Sequence, residues 1–242
     1  SLINERRYSK DCAYAIPMNY LYDVMFGDEP VWKGSSVSAK AEERWKNLST
    51  KLKRSNLFSV THVEKKLELM EYYDVSIDEN DESRYSLKEI IAAYYLDLIE
   101  RYKDDDAFSN GFYLKSCSDM SRATELALSI KKMMAVFFSS SIASLQDVES
   151  SLLPYVDGKD ISLLKNIADA LLEAEHERWR RDYYLDNWAY GEEKNNILRT
   201  HNNLVPFSEL SDNQEKDWLM YWVIMLTSSV WAHDFDILTG DA

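Results

Sequence analysis

Glycine and proline are scarce in this chain, with 6 Gly and 4 Pro in 242 residues. These two residues supply most tight turns and helix breaks, so a chain this poor in them is confined to long helices with few sharp reversals. The apolar spacing agrees. Leu87, Ile90, Ile91, Tyr94, Tyr95, Leu98 and Tyr102 recur three or four apart, as do Leu163, Leu164, Ile167, Ala170, Leu171 and Ala174. That period gathers each set on one helix face. Strict alternation never runs beyond a few residues, and the strand candidates are Trp188–Tyr190 and Leu204–Phe207.

Helices are expected at about 5–25, 38–54, 61–73, 87–103, 119–139, 160–186 and 212–232. Thr61 with Glu64, Ser86 with Glu89, and Ser211 with Gln214 have capping-box spacing, in which hydroxyl and acid or amide satisfy free amides of the first turn. Breaks fall at 27–36, 75–84, 103–111 and 157–159. The last of these is the expected boundary between a helical region at 1–158 and a distinct unit at 159–242.

The net charge is −14 at pH 7 and no basic stripe is present, which argues against duplex nucleic acid as a partner. It leaves room for a free nucleotide in a local basic pocket. The longest uncharged run, Trp218 to Ala232, has 15 residues; a membrane span needs roughly 20, so a buried or interface helix is expected and no membrane insertion. Cys12 and Cys117 are far apart with no CxxC, which fits buried thiols in a reducing, cytoplasmic setting.

No reaction is legible. The chain has no GxSxG, no phosphate-cradling glycine loop and no His-x3-His, so no catalytic residue, metal site or cofactor is assigned. Asp78, Asn80, Glu82, Ser86 and Glu89 mimic calcium-loop spacing, but Ser83 stands where a glycine must turn the loop. The stretch reads as an acidic surface loop.

One segment is distinctive: His176-Glu177-Arg178-Trp179, Trp188-Ala189-Tyr190-Gly191, His201-Asn202-Asn203-Leu204-Val205-Pro206-Phe207, Leu210, then Lys216-Asp217. In order and spacing it resembles the RyR domain, the repeat named after the ryanodine receptor and also found singly in bacterial proteins. It departs at Asn187, where the family has Gly, and at Asn202, where it has Pro. Asn tolerates the left-handed region, so the first departure leaves the turn geometry attainable. A weaker resemblance covers Trp45 to Leu67. Trp45, Leu48, Ser55, Asn56, His62, Lys66 and Leu67, with Glu175, His176, Arg178 and Trp179, are similar to bacterial proteins joining a TrkA-type Rossmann domain to a RyR-like domain. The chain begins at Ser1 without Met and is expected to be the C-terminal part of such a protein, its upstream domain lying outside the sequence.

The resemblance implies a mainly α protein: an N-terminal helical bundle, then a RyR-like unit with helices around a short β-containing loop. It implies a ligand or interaction module rather than an enzyme, with adenine nucleotide held near Trp179. The candidate ligand-binding residues are Trp179, His176, Arg178, Trp188, Tyr190, Arg199 and His201. His176 and Trp179, three apart, share a helix face. Trp179 is expected to stack on a base, a contact of roughly 1–3 kcal/mol. Arg178, Arg199 and His201 are expected to meet phosphates, which fork-like Arg donors suit, while Trp188 and Tyr190 shape the wall. Lys194, Arg180 and Arg181 complete the densest positive cluster of the chain. Each assignment has a structural alternative: Trp179 as core packing with His176 donating a structural hydrogen bond, the cations as solvated or as partners of Glu175, Glu192 and Glu193, and Val205-Pro206-Phe207 with Leu210 as a hydrophobic latch. Gly191 is expected to serve a positive φ or a close backbone approach. In the channel the repeats come in pseudo-twofold pairs, so the implied arrangement for a single copy is a homodimer. The competing expectation is a protein–protein or oligomerisation scaffold without a small ligand.

Overall fold

The computed structural model describes residues 14–25, 36–77, 84–114, 121–138 and 140–210. The expected helix at 212–232, the Ser211 box, Lys216, Asp217, both cysteines and most of the acidic loop lie outside them. The described chain is mainly α. Helix α1 covers 14–25, α2 Ser36–Asn47, α3 Thr50–Thr61 and α4 Val63–Tyr72. A two-residue parallel pair, β1 (Val75–Ser76) with β2 (Tyr85–Ser86), precedes α5 (Leu87–Tyr102). Then come α6 (Asp106–Gly111), α7 (Arg122–Phe137), α8 (Leu145–Val156) and α9 (Ile161–Leu185). The second parallel pair, β3 (Ala189–Tyr190) with β4 (Thr200–His201), and a 3-10 turn at Phe207–Glu209 finish it.

Helix α5 follows its sequence closely. Ser86 accepts the Glu89 amide while the Glu89 carboxylate accepts the Ser86 amide, a complete capping box. Ile90, Ile91, Tyr94, Tyr95 and Leu98 are buried. The expected single helix at 38–54 is instead two, broken at Leu48 and Ser49; the Ser49 hydroxyl caps α3 by accepting from the Leu52 amide. No box forms at Thr61. Its hydroxyl donates to the Phe58 carbonyl of the preceding turn, and His62 takes the cap position of α4 without a side-chain bond. Helices α6 and α8 were not anticipated.

The main core is built on α5, which is flanked by α8 and α9. Phe108 and Phe112 pack edge to face at 5.3 Å in the same core as Ile130, Met133 and Met134 of α7. Leu164, Ile167, Ala168, Leu171 and Leu172 of α9 enter it as well, so apolar side chains on both sides of Asp157–Lys159 share one interior. Phe207 and Leu210 close it from the far end of the described residues, the latch expected of Val205–Leu210. A smaller cluster, Ala15, Met18, Val60 and Val63, joins α1 to α3 and α4. Among the described residues no helix is long and apolar enough to cross a membrane.

Candidate functional site

Helix α9 has 25 residues and carries two different environments. Its first half is core. Its second half meets α3 and α4 and ends in the loop that holds β3 and β4. Asn187 leaves the helix at φ +60°, the left-handed turn that Asn reaches at low cost. This redirects the chain so that the Trp188 amide donates back to the Tyr183 carbonyl at 3.0 Å. Gly191 serves a close approach: a Cβ there would lie 2.6 Å from the Cβ of Thr200. Strand β4 is Thr200–His201 rather than Leu204–Phe207.

An aromatic column runs along this end of the molecule. Trp179 stacks on His176 at 5.7 Å and tilts against Tyr183 at 4.5 Å, with His201 edge-on at 5.1 Å. Tyr183 continues to Trp188 at 4.9 Å. His176 Nε2 lies 2.7 Å from the Val205 carbonyl; a carbonyl only accepts, so Nε2 carries the proton. Burial pushes the His176 pKa down, the charges of Arg180 and Glu175 acting in opposite senses beside it. His201 Nδ1 accepts the Asn203 amide at 3.1 Å. That atom is therefore unprotonated, and His201 acts here as a neutral ring holding a turn, not as a cation aimed at phosphate.

Arg178 faces inward. Its guanidinium donates to Glu175 at 2.7 and 3.0 Å, and Glu175 is reached from α4 by Lys66 at 2.6 Å. The exposures are 0 % for Glu175, 2 % for Lys66 and 3 % for Arg178, so Arg178 has no route to a solvent-borne phosphate. Burial acts to raise the Glu175 pKa, but the two cations outweigh it and hold the carboxyl down at about 2. Burial lowers the Lys66 pKa against the pull of Glu175. Burial also lowers that of His62, with Lys66 and Arg178 adding to the effect. Residues from the two resembling segments, Lys66 with Glu175 and Arg178, thus meet in one buried cluster.

The open hollow lies on the far side of the column. A cleft of about 250 Å³ is bounded by α3 through Lys51, Leu52, Arg54 and Ser55, and by α9 through Asp182, Tyr183 and Asp186. Trp188, Lys194 and Asn196 complete it. An adjoining hollow of about 270 Å³ shares Lys51, Asp186, Trp188 and Asn196 and adds Arg199. Of the expected site residues, Trp188 and Arg199 reach these hollows. Trp179, His176 and His201 do not line them, and Tyr190, 57 % exposed, stands on the outer surface. Trp188 is 7 % exposed, and the Lys51 ammonium sits 5.5 Å from its ring centroid, within cation–π range. Lys51, Arg54, Asp186 and Asn196 escaped the sequence reading, and Ser55 entered it through the weaker resemblance without a site role. The only signal for them was the spacing of Lys51, Arg54 and Ser55 on one face of α3.

Among the described residues no group of three His, Cys, Asp or Glu side chains could hold a metal ion. No curated protein and no solved structure matches the chain. The model of one family does match, over residues 156–225, and it is the RyR domain; the resemblance read from His176 to Asp217 is thereby shown for that segment of the chain.

Proposed function

We propose that this chain is a non-enzymatic ligand-sensing module that binds a nucleotide-like anion in the cleft beside Trp188. One observation carries the reading. In a chain of net charge −14, the ammonium groups of Lys51 and Lys194 line a cleft with an indole wall and have no carboxylate partner among the described residues. Unpaired cations beside an aromatic face suit a flat ring bearing phosphate or carboxylate. At about 250 Å³ the cleft lies just below the usual range of ligand-site volumes, which favours a mononucleotide over a larger cofactor.

A thermal-shift panel of AMP, ADP, ATP and cyclic AMP tests it. A ligand that binds only the native state raises the melting temperature. At a hundredfold excess over Kd, the rise for a chain of this size is roughly 5–10 °C, and Lys51→Ala or Trp188→Ala should abolish most of it. No saturable shift from any of the four at millimolar concentration overturns the reading.

A second reading, a protein–protein scaffold, is favoured by a different observation. Ile197, Leu198 and Leu185 are exposed large apolar side chains at this end of the molecule, Ile197 being 92 % exposed. Such side chains are suited to a partner surface. Light scattering at micromolar concentration distinguishes a homodimer from a monomer, and Ile197→Asp with Leu198→Asp should dissociate a dimer that uses this edge.

A further inference from the structure

The cleft contains its own anion. Asp186, the residue that ends α9, makes an ion pair through its carboxylate with Arg54 of α3, and its carbonyl accepts from the Arg199 guanidinium at 2.6 Å. One residue therefore occupies both the arginine of the cleft, Arg54, and that of the adjoining hollow, Arg199, and it ties three separate segments together. Four residues earlier, on the same side of α9, Asp182 accepts the Ser55 hydroxyl at 3.2 Å. Arg54 lies outside the residues that match the RyR domain, whereas Asp186 and Arg199 lie within them.

Building on the ligand-sensing reading, we propose that Asp186 is a built-in counter-ion which the anionic group of the ligand replaces. A phosphate brought to Lys51 and Lys194 also borders Arg54, since all three line one cleft. There it competes with the Asp186 carboxylate for the same guanidinium. An arginine accepts either oxyanion through the same forked donors. A phosphate carrying up to two negative charges takes the stronger share once Lys51 and Lys194 add to its field. Exchange moves the bond of α3 from Asp186 to the ligand. Occupancy then alters the tie between α3 and the end of α9, and with it the contact between the matched segment and the helices before it. The phosphorylated ligand class follows from the donor set: two ammonium groups and a guanidinium lining one cleft with an indole.

The test is isothermal titration with ADP and with inorganic pyrophosphate on the whole chain. The variants are Asp186→Asn, Arg54→Ala, the double variant and Lys51→Ala. The proposal expects Asp186→Asn to bind either probe roughly fivefold more tightly, as an exposed ion pair is removed from competition. Arg54→Ala should bind more weakly, and the gain from Asp186→Asn should vanish in the Arg54→Ala background. If that gain persists in full without Arg54, general charge removal explains it and the counter-ion role is overturned. If Lys51→Ala weakens binding while Asp186→Asn leaves it unchanged or weaker, the cleft stands as a binding site and the counter-ion role falls. If neither probe binds the wild type or Asp186→Asn at millimolar concentration, both readings fall together. Should Asp186→Asn not fold, Arg54→Ala alone decides: undiminished affinity for pyrophosphate sinks the exchange.

Discussion

At the scale of single residues, the buried cluster of Lys66, Glu175 and Arg178 is the most consequential feature. It holds two cations and one carboxylate out of water. Removing one member of a buried pair costs more than the pair gains, because the remaining charge is left uncompensated. Glu175→Gln leaves two buried cations facing each other and is expected to cost about 3–5 kcal/mol of stability, read as a fall in urea midpoint at pH 7. Lys66→Met leaves the neutral Glu175–Arg178 pair intact and should cost clearly less; an equal or greater loss would show that the α4 contact, not charge balance, dominates. The pH dependence follows from the sign of the shift. The Glu175 carboxyl sits at about 2 in the fold against an ordinary value of 4.5, so its contribution is complete above about 4.5 and disappears as pH falls towards 2. Urea midpoints taken between those values should drop in the wild type, and Glu175→Gln should lack that component. The Arg178–Glu175 pairing was open in the sequence as the structural alternative for the cations; the third member, Lys66, was not. Arg178 was read as a phosphate ligand because its neighbours in sequence suggested a site, whereas its position on the inner face of α9, opposite a lysine more than a hundred residues earlier, is a property of the fold.

At the scale of elements, legibility followed the strength of the local signal. Helix α5 combines a complete capping box with an unbroken apolar face, and its observed bounds differ little from the expected ones. Helix α9 likewise followed its apolar spacing. The split between α2 and α3 was missed because no glycine or proline marks it; α2 stops at Asn47 and two residues later Ser49 caps the next helix. Helix α8 was missed because it carries Pro154 and fully buries only Val148, Leu152 and Val156, with Leu145 and Tyr155 partly buried beside them, a stripe that tertiary contact makes sufficient. Two substitutions separate local from tertiary stabilisation. Ser86→Ala should cost about 1 kcal/mol by losing the cap, and Leu171→Ala, at a site buried between α9 and α5, about 2–5 kcal/mol. Chemical denaturation measures both; a larger loss from Ser86→Ala would mean that α5 depends on its cap more than on its packing.

At the scale of the whole molecule, the net charge of −14 sets the background against which the cleft works. A body this acidic repels itself and repels anions at long range. Raising salt from about 10 to 150 mM shortens the screening length to about 8 Å. The melting temperature should therefore rise by a few degrees over that range, while the buried Lys66–Glu175–Arg178 cluster is screened less; a flat or falling melting temperature would show that surface ion pairs outweigh the repulsion. The cleft itself could be found only at this scale, since Arg54 and Asp186 are 132 positions apart and neither is among the motif residues that carried the two resemblances.

The continuity of α9 has a mechanical corollary. At 25 residues it is a rod of about 37 Å, seated in the interior at one end and forming a wall of the hollow at the other. It has no internal proline or glycine to absorb a bend. A small swing at Asp186 would therefore be carried along the rod rather than dissipated in a bend, first through the Lys66–Glu175 contact with α4 and then to the Lys165–Asp97 contact with α5 at the other end.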